Sequence, residues 1–95
     1  MKKVVTTPPV EVALRTLDDA NRRGVQSWIS HLANWDNDAF VRSHSHSLGS
    51  VEGVYILKTS TDLRIFFRID GNTLTILDIA KRQSILTSGQ VPEAP

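Results

Sequence analysis

Leu63-Arg64-Ile65-Phe66-Phe67-Arg68-Ile69-Asp70-Gly71-Asn72-Thr73-Leu74-Thr75-Ile76-Leu77-Asp78-Ile79-Ala80-Lys81-Arg82 reads as a β-hairpin. Strand side chains alternate between faces, so Leu63, Ile65, Phe67 and Ile69 point to one side and Arg64, Phe66 and Arg68 to the other. The first set is a core face. The second leaves two guanidinium groups flanking an aromatic ring, a surface suited to an anion or a partner. Asp70-Gly71-Asn72 supplies the turn, because Gly and Asn tolerate the positive φ of tight hairpins. Thr73 to Ala80 is β-branched and apolar, and it delivers Lys81 and Arg82 at the end of the sheet away from the turn.

Working outward, Val54 to Thr59 predicts a strand with Tyr55 and Leu57 on one face and Val54, Ile56 and Lys58 on the other. The three strands form an antiparallel meander. Upstream, Ser43 to Ser50 is loop by composition, and Ala39-Phe40-Val41 predicts a short helical turn. Val25, Trp28, Ile29 and Leu32 recur at helical spacing, with Thr16 as the cap and Asp18 and Asp19 at the positive end of the dipole. Gly24 weakens that helix. Val10 to Leu14 alternates apolar and other residues behind Pro8-Pro9 and predicts an edge strand. The expected fold is α+β: an N-terminal strand and one long helix packed on an antiparallel sheet that ends in a three-stranded meander. Residues 1–86 are expected to form one domain. Residues 87–95, with two prolines, a glycine and no periodicity, read as a disordered tail.

Composition narrows the function classes. The chain has 95 residues, 40% of them hydrophobic and 22% charged, as in an ordinary folded domain. It has no cysteine, which excludes disulfides, thiolate metal sites and a cysteine nucleophile. The opening Met1-Lys2-Lys3-Val4-Val5 runs into Thr6-Thr7-Pro8-Pro9 without the apolar run of a signal peptide, and a cytoplasmic location is expected. Eleven Lys and Arg against ten Asp and Glu give a net charge of only +1. Between Arg42 and Arg82, however, six basic residues face four acids.

Tyr55-Ile56-Leu57-Lys58, Asp62-Leu63-Arg64-Ile65-Phe66-Phe67 and Ile76-Leu77-Asp78-Ile79-Ala80-Lys81-Arg82 together resemble the C-terminal half of RelE/ParE superfamily toxins. In that family an aromatic-led strand ending in a basic residue precedes a strand beginning with Arg, which pairs with a strand ending in a basic pair. The likeness is specific over Tyr55 to Arg82. Over Val10 to Leu32 it rests on element order alone.

The resemblance implies the toxin of a type II toxin-antitoxin pair, with a cognate antitoxin as partner. It implies either a RelE-like mRNA endoribonuclease acting on the ribosome or, in the alternative, a ParE-like gyrase inhibitor or a degenerate antitoxin-binding protein. For the nuclease, Arg64 and Arg82 match the family's phosphate-stabilising positions, with Lys58 beside them as a third catalytic candidate. Lys81 and His46 are candidate substrate contacts. No cofactor and no metal are implied: His44 and His46 stand at i, i+2 without a third ligand nearby. Two features depart from the pattern. Ile85 and Leu86 stand where nuclease members place a Tyr or His, and the net charge is low for a ribosome-binding toxin. Arg68, near the turn, reads as a surface residue, and Trp28 reads as core.

Overall fold

Pro8 and Pro9 start a helix. The computed structural model describes residues 1–82, and in it α1 spans Pro8–Thr16, where a strand over Val10 to Leu14 was expected. The physical reason is at the N-terminus. Proline's fixed φ suits the first helical turn, whose N–H groups have no helical partner in any case. Thr7, extended at φ −107° and ψ 161°, leads into that turn, and its carbonyl accepts from Val10 and Glu11 at 3.0 and 3.1 Å. Val10 is fully buried, and Ala13, Leu14 and Leu17 pack with it at three, four and seven residues on. The apparent alternation was one face of a helix sampled over too short a window.

The N-terminal strand lies earlier. β1, Lys3–Thr6, precedes α1, and α2, Asp19–Ala33, follows it. Asp18, not Thr16, caps α2, accepting from the Asn21 N–H at 2.8 Å, while Thr16 closes α1 with a bond to the Ala13 carbonyl. Arg22 clamps the corner between these helices. Its Nε donates to Leu14 O, Nη2 to Leu17 O and Nη1 to Asp19, at 3.1, 2.7 and 2.8 Å.

A 3₁₀ turn at Trp35–Asn37 and a short helix α3, Ala39–Ser43, complete the helical layer. Asp38 joins it together. One carboxylate oxygen caps α3 through the Val41 N–H at 3.0 Å, and the other lies 2.6 Å from His31 Nδ1 in the last turn of α2. The bond to His31, then that to Val41, holds the Asp38 carboxyl below the ordinary carboxylate range. Phe40, 52% exposed, stacks on Trp28 with ring centroids 5.3 Å apart, so Trp28 packs α2 against α3 as well as against the core.

The sheet runs β1-β5-β4-β3-β2, with β2 Ser45–Ser47, β3 Val54–Lys58, β4 Leu63–Asp70 and β5 Thr73–Lys81. β2 lies inside the stretch read as loop; Ser-His-Ser carries no apolar alternation, and only its pairing with β3 makes it a strand. β2 through β5 are antiparallel, and β1 joins β5 in parallel. The sheet is therefore mixed at one edge. Phe67, Leu57, Ile65, Leu74 and Ile76 meet Leu32, Val10, Val25 and Val41 in a fully buried core. Trp35, Tyr55 and Phe67 form an aromatic trio across it, with centroids 5.3 to 5.6 Å apart.

The hairpin turn is the two-residue Gly71-Asn72, with Gly71 at φ +59° and Asn72 at negative φ, as in a type II′ turn. Among the described residues no helix is long and apolar enough to cross a membrane. The expected tail at 87–95, and Ile85 and Leu86, lie outside the described residues.

Candidate functional site

Face assignment in β5 depends on one irregularity. From the turn, Leu74 and Ile76 point into the core as alternation requires, and strict alternation would then send Asp78, Ala80 and Arg82 inward too. Instead, Phe67 pairs with Ile76 and Phe66 with Asp78, which leaves Leu77 as the extra residue of a β-bulge. The phase shifts by one residue beyond it. Ile79 enters the core, and Ala80 lies beside Arg64 on the opposite face. The apolar residues record the shift as a step of three, from Ile76 to Ile79, after a step of two.

The register then aligns side chains across strands. Lys58 pairs with Arg64, and Arg64 with Ala80, so the two cations are direct cross-strand neighbours on the face away from the helices. Arg82 sits one step further along. Its N–H donates to the Asp62 carbonyl at 2.7 Å, which carries the β4–β5 pairing past the end of β5. Lys58 and Arg64 therefore share one end of one face, and the Arg82 backbone is tied to that same end of the sheet.

The other candidates lie apart from this group. Lys81 pairs with Leu63, a core-facing residue, so the register puts it on the helix side of the strand end. His46 belongs to the next row, His46–Ile56–Phe66–Asp78, which crosses the same face one step from the Lys58–Arg64 row. His44 lies elsewhere, with its ring 4.5 Å from Phe40 and 5.4 Å from Trp28. Arg68 is on the same face as Arg64 but four residues toward the turn, about 13 Å away at strand rise, and it is exposed.

Arg64 is the one buried polar or charged side chain among the described residues, at 9% exposure. A buried guanidinium needs hydrogen-bond partners, and the β3–β4 loop supplies two. Nη1 donates to Thr61 O at 3.1 Å and to Leu63 O at 3.0 Å. The loop is itself bonded internally. Thr59 Oγ1 donates to Leu63 O at 2.7 Å, Thr61 Oγ1 lies 3.2 Å from Thr59 Oγ1, and the Leu63 N–H reaches Thr61 Oγ1 at 3.3 Å. The sequence reading found the basic residues but neither the bulge nor this threonine brace. The step from Ile76 to Ile79 and the Thr59-Ser60-Thr61 run were the available signals.

Arginine edges can grip two phosphate oxygens at once, and clustered cations stabilise developing negative charge. His46 and Asp78 are the titratable groups in the adjoining row, with Asp78 Oδ1 accepting from the Ile79 N–H at 2.8 Å.

No family model and no curated protein matches this chain. Solved structures do. A chain of the intact RelBE toxin-antitoxin complex from E. coli superposes with a TM-score of 0.68 at 12% identity, covering 85% of this chain and 96% of that one. The RelB-RelE antitoxin-toxin complex from Methanococcus jannaschii gives 0.70 at 13% identity, with 88% and 96% covered. The RelBE2 toxin-antitoxin complex from Mycobacterium tuberculosis gives 0.57 at 19% identity, with 84% and 96% covered. On these likenesses the chain has the fold of the RelE/ParE-like toxins.

Proposed function

We propose that the protein is the toxin of a toxin-antitoxin pair and acts as a RelE-like endoribonuclease that blocks translation by cutting mRNA on the ribosome. The observation that carries this reading is the meeting of Lys58, Arg64 and Arg82 at one end of the β3-β4-β5 meander, within a fold shared with chains of solved toxin-antitoxin complexes.

In the reaction the substrate's 2′-hydroxyl attacks the adjacent phosphorus. A new P–O bond forms to the 2′ oxygen and the bond to the 5′ oxygen breaks. The hydroxyl proton passes to a base, and the departing 5′ oxygen takes one from an acid. Arg64 and Arg82 would offset the charge that builds on the phosphorane oxygens, and Lys58, cross-strand from Arg64, would add a third cation. His46, on the same face, would supply an imidazole for one of the proton transfers. Lys81, on the other side of the strand end, would contribute its charge to the approach of RNA. A cognate antitoxin is the partner this reading implies.

Expression of the wild-type protein should arrest growth, with cut mRNA and loss of protein synthesis preceding any other defect. The doubly substituted Arg64→Ala/Arg82→Ala protein should fold and leave growth unimpaired. Full toxicity in that folded variant would remove the site assignment.

A second reading, a binder that poisons gyrase or only pairs with an antitoxin, is favoured by one observation. Arg64 is buried and spends Nη1 on two loop carbonyls, as a structural arginine would. In that case induction would bring inhibited gyrase and DNA damage signalling, or no effect at all, with mRNA intact.

A further inference from the structure

From the four rings at the junction of α2 and α3 we infer that Phe40 is a stacking platform for a base of the mRNA strand, next to the phosphate site at the end of the sheet. The inference rests on the ribonuclease reading for the identity of the strand, and on ring geometry and charge for the platform itself.

Phe40 is braced from one side and open on the other. Its ring lies nearly parallel to that of Trp28, with 6° between the planes and centroids 5.3 Å apart. His31 and His44 each touch both members of the stack, at 5.5 and 4.5 Å from Phe40 and at 5.6 and 5.4 Å from Trp28. An imidazole lying across the outer face of Phe40 would be far from Trp28, so both imidazoles sit on the Trp28 side. The 52% of Phe40 left exposed is therefore the side turned away from Trp28. Hydrogen bonds fix the flanking rings. His31 Nδ1 donates to Asp38 Oδ2 at 2.6 Å, and His44 Nδ1 donates to Phe40 O at 2.9 Å. A carboxylate and a carbonyl have no proton to give, so both Nδ1 atoms carry one and the tautomers are set.

The surroundings of the ring decide what covers it. An amphipathic partner helix needs a groove for apolar anchors at three- and four-residue spacing. Here a single exposed ring stands among Ala39, Arg42 and Ser43 on α3, which suits one flat group. Charge favours an anionic one. From α2 to α3 each acid is engaged by a basic side chain: Asp19 by Arg22, Asp36 by Lys2 and Asp38 by His31, at 2.8, 3.5 and 2.6 Å. Arg23 and Arg42 are exposed and make no ion pair among the described residues, so the surplus on this layer is positive. An aromatic face with cations around it is the combination that binds single-stranded nucleic acid without regard to sequence.

The platform also adjoins the proposed site. The Lys58 N–H donates to His44 O at 2.8 Å, so the ring cluster meets the Lys58–Arg64 row at the start of the edge strand β2. An RNA strand with its scissile phosphate at that row would carry a neighbouring nucleotide round the sheet edge to Phe40.

The test uses the full-length protein and a short single-stranded RNA of mixed sequence with every 2′ oxygen methylated, which removes the attacking hydroxyl and prevents cutting. Affinity is read by fluorescence anisotropy at one fixed salt concentration, and ring resonances by NMR. The oligonucleotide should move the Phe40 ring signals upfield and leave those of buried Phe67 in place. Phe40→Leu, which stays apolar but loses the π face, and Phe40→Ala should bind at least about fivefold more weakly, with Phe40→Tyr within about twofold of wild type.

A leucine variant that binds as tightly as wild type would overturn the platform. So would unmoved Phe40 signals in the wild type, a readout that needs no variant to fold. Signals that move only with protein concentration, or only on adding the cognate antitoxin, would assign the ring to a second copy or to the antitoxin and overturn it equally. The ribonuclease reading fails separately: wild type that leaves ribosome-bound mRNA intact yet shifts Phe40 with the oligonucleotide ends that reading and keeps the stacking, and cutting with Phe40 unmoved does the reverse.

Discussion

Arg64 and Arg68 stand on one strand and one face, yet the two ends of the β4–β5 hairpin have made different things of them. Near the turn, Arg68 is exposed, opposite Val54 and Thr75. At the far end Arg64 is buried, cross-strand from Lys58, and tied through Nη1 to a loop that threonine hydroxyls hold in shape. Alternation assigns both residues to the same face and distinguishes nothing further. What separates them is the loop chemistry between β3 and β4, and the bulge that sends Ile79 inward and sets Ala80 beside Arg64. A residue type at a strand position is therefore a weak indication of a site until the neighbouring loop and register are known.

The sharpest way to break this comparison is functional. Arg64→Ala should abolish growth arrest, a loss of at least a hundredfold in mRNA cleavage if one charge-stabilising donor is removed, while Arg68→Ala should cut as the wild type does. Plating efficiency under induction, with cleavage mapped on ribosomes, reads both. Equal effects of the two substitutions would erase the distinction between the ends.

The two faces of β4 should differ nearly as much in stability. Phe67, fully buried against Tyr55 and Trp35, should cost about 3–5 kcal/mol when changed to Ala. Phe66, half-buried on the other face, should cost less than half as much. Urea denaturation of both variants measures the difference, and similar midpoints would show that the two faces of β4 are not buried as described.

Backbone effects come next. Gly71→Ala places a Cβ at φ +59° and should destabilise the turn end by about 1–2 kcal/mol. Gly24→Ala, inside α2 with no atom within 4 Å of the added carbon, should instead stabilise by about 0.5–1 kcal/mol. Thermal melting of the pair should move in opposite directions.

The smallest effect concerns the helical layer. Asp38 is held below its ordinary pKa in the folded state, so its stabilising contribution is present above the ordinary carboxylate pKa of about 4. It is lost as the pH falls through the depressed folded value. The melting difference between wild type and Asp38→Asn should thus be constant near neutrality and shrink only in acid. A difference that grew on acidification would contradict the assigned bonds to His31 and Val41.

Much of this was legible in the sequence because long-range pattern and local chemistry agreed. The hairpin alternation, the Gly71-Asn72 turn, Val54 to Thr59 as a strand and the apolar stripe of Val25, Trp28, Ile29 and Leu32 all appear where the residues put them. Pro8-Pro9 misled because a proline pair breaks a strand and opens a helix equally well, and only the burial of Val10, Ala13 and Leu14 on one side decides. Ser45 to Ser47 could not be read at all, since an edge strand without apolar residues is defined by its partner. At the candidate site the cations were visible but their grouping was not. Lys81 and Arg82 are indistinguishable by type, and it is the Leu77 bulge that puts Lys81 on the core-facing side of the strand end.

The central claim is that the end of the hairpin bearing Lys58, Arg64 and Arg82 acts on RNA phosphate. Primer extension on mRNA bound to purified ribosomes, with the wild type, Arg64→Ala/Arg82→Ala and Arg68→Ala proteins added in turn, tests it most directly. The account predicts discrete cleavage by the wild type and the Arg68 variant and none by the folded double variant. Intact mRNA with the wild type, or equal cutting by all three, would contradict it.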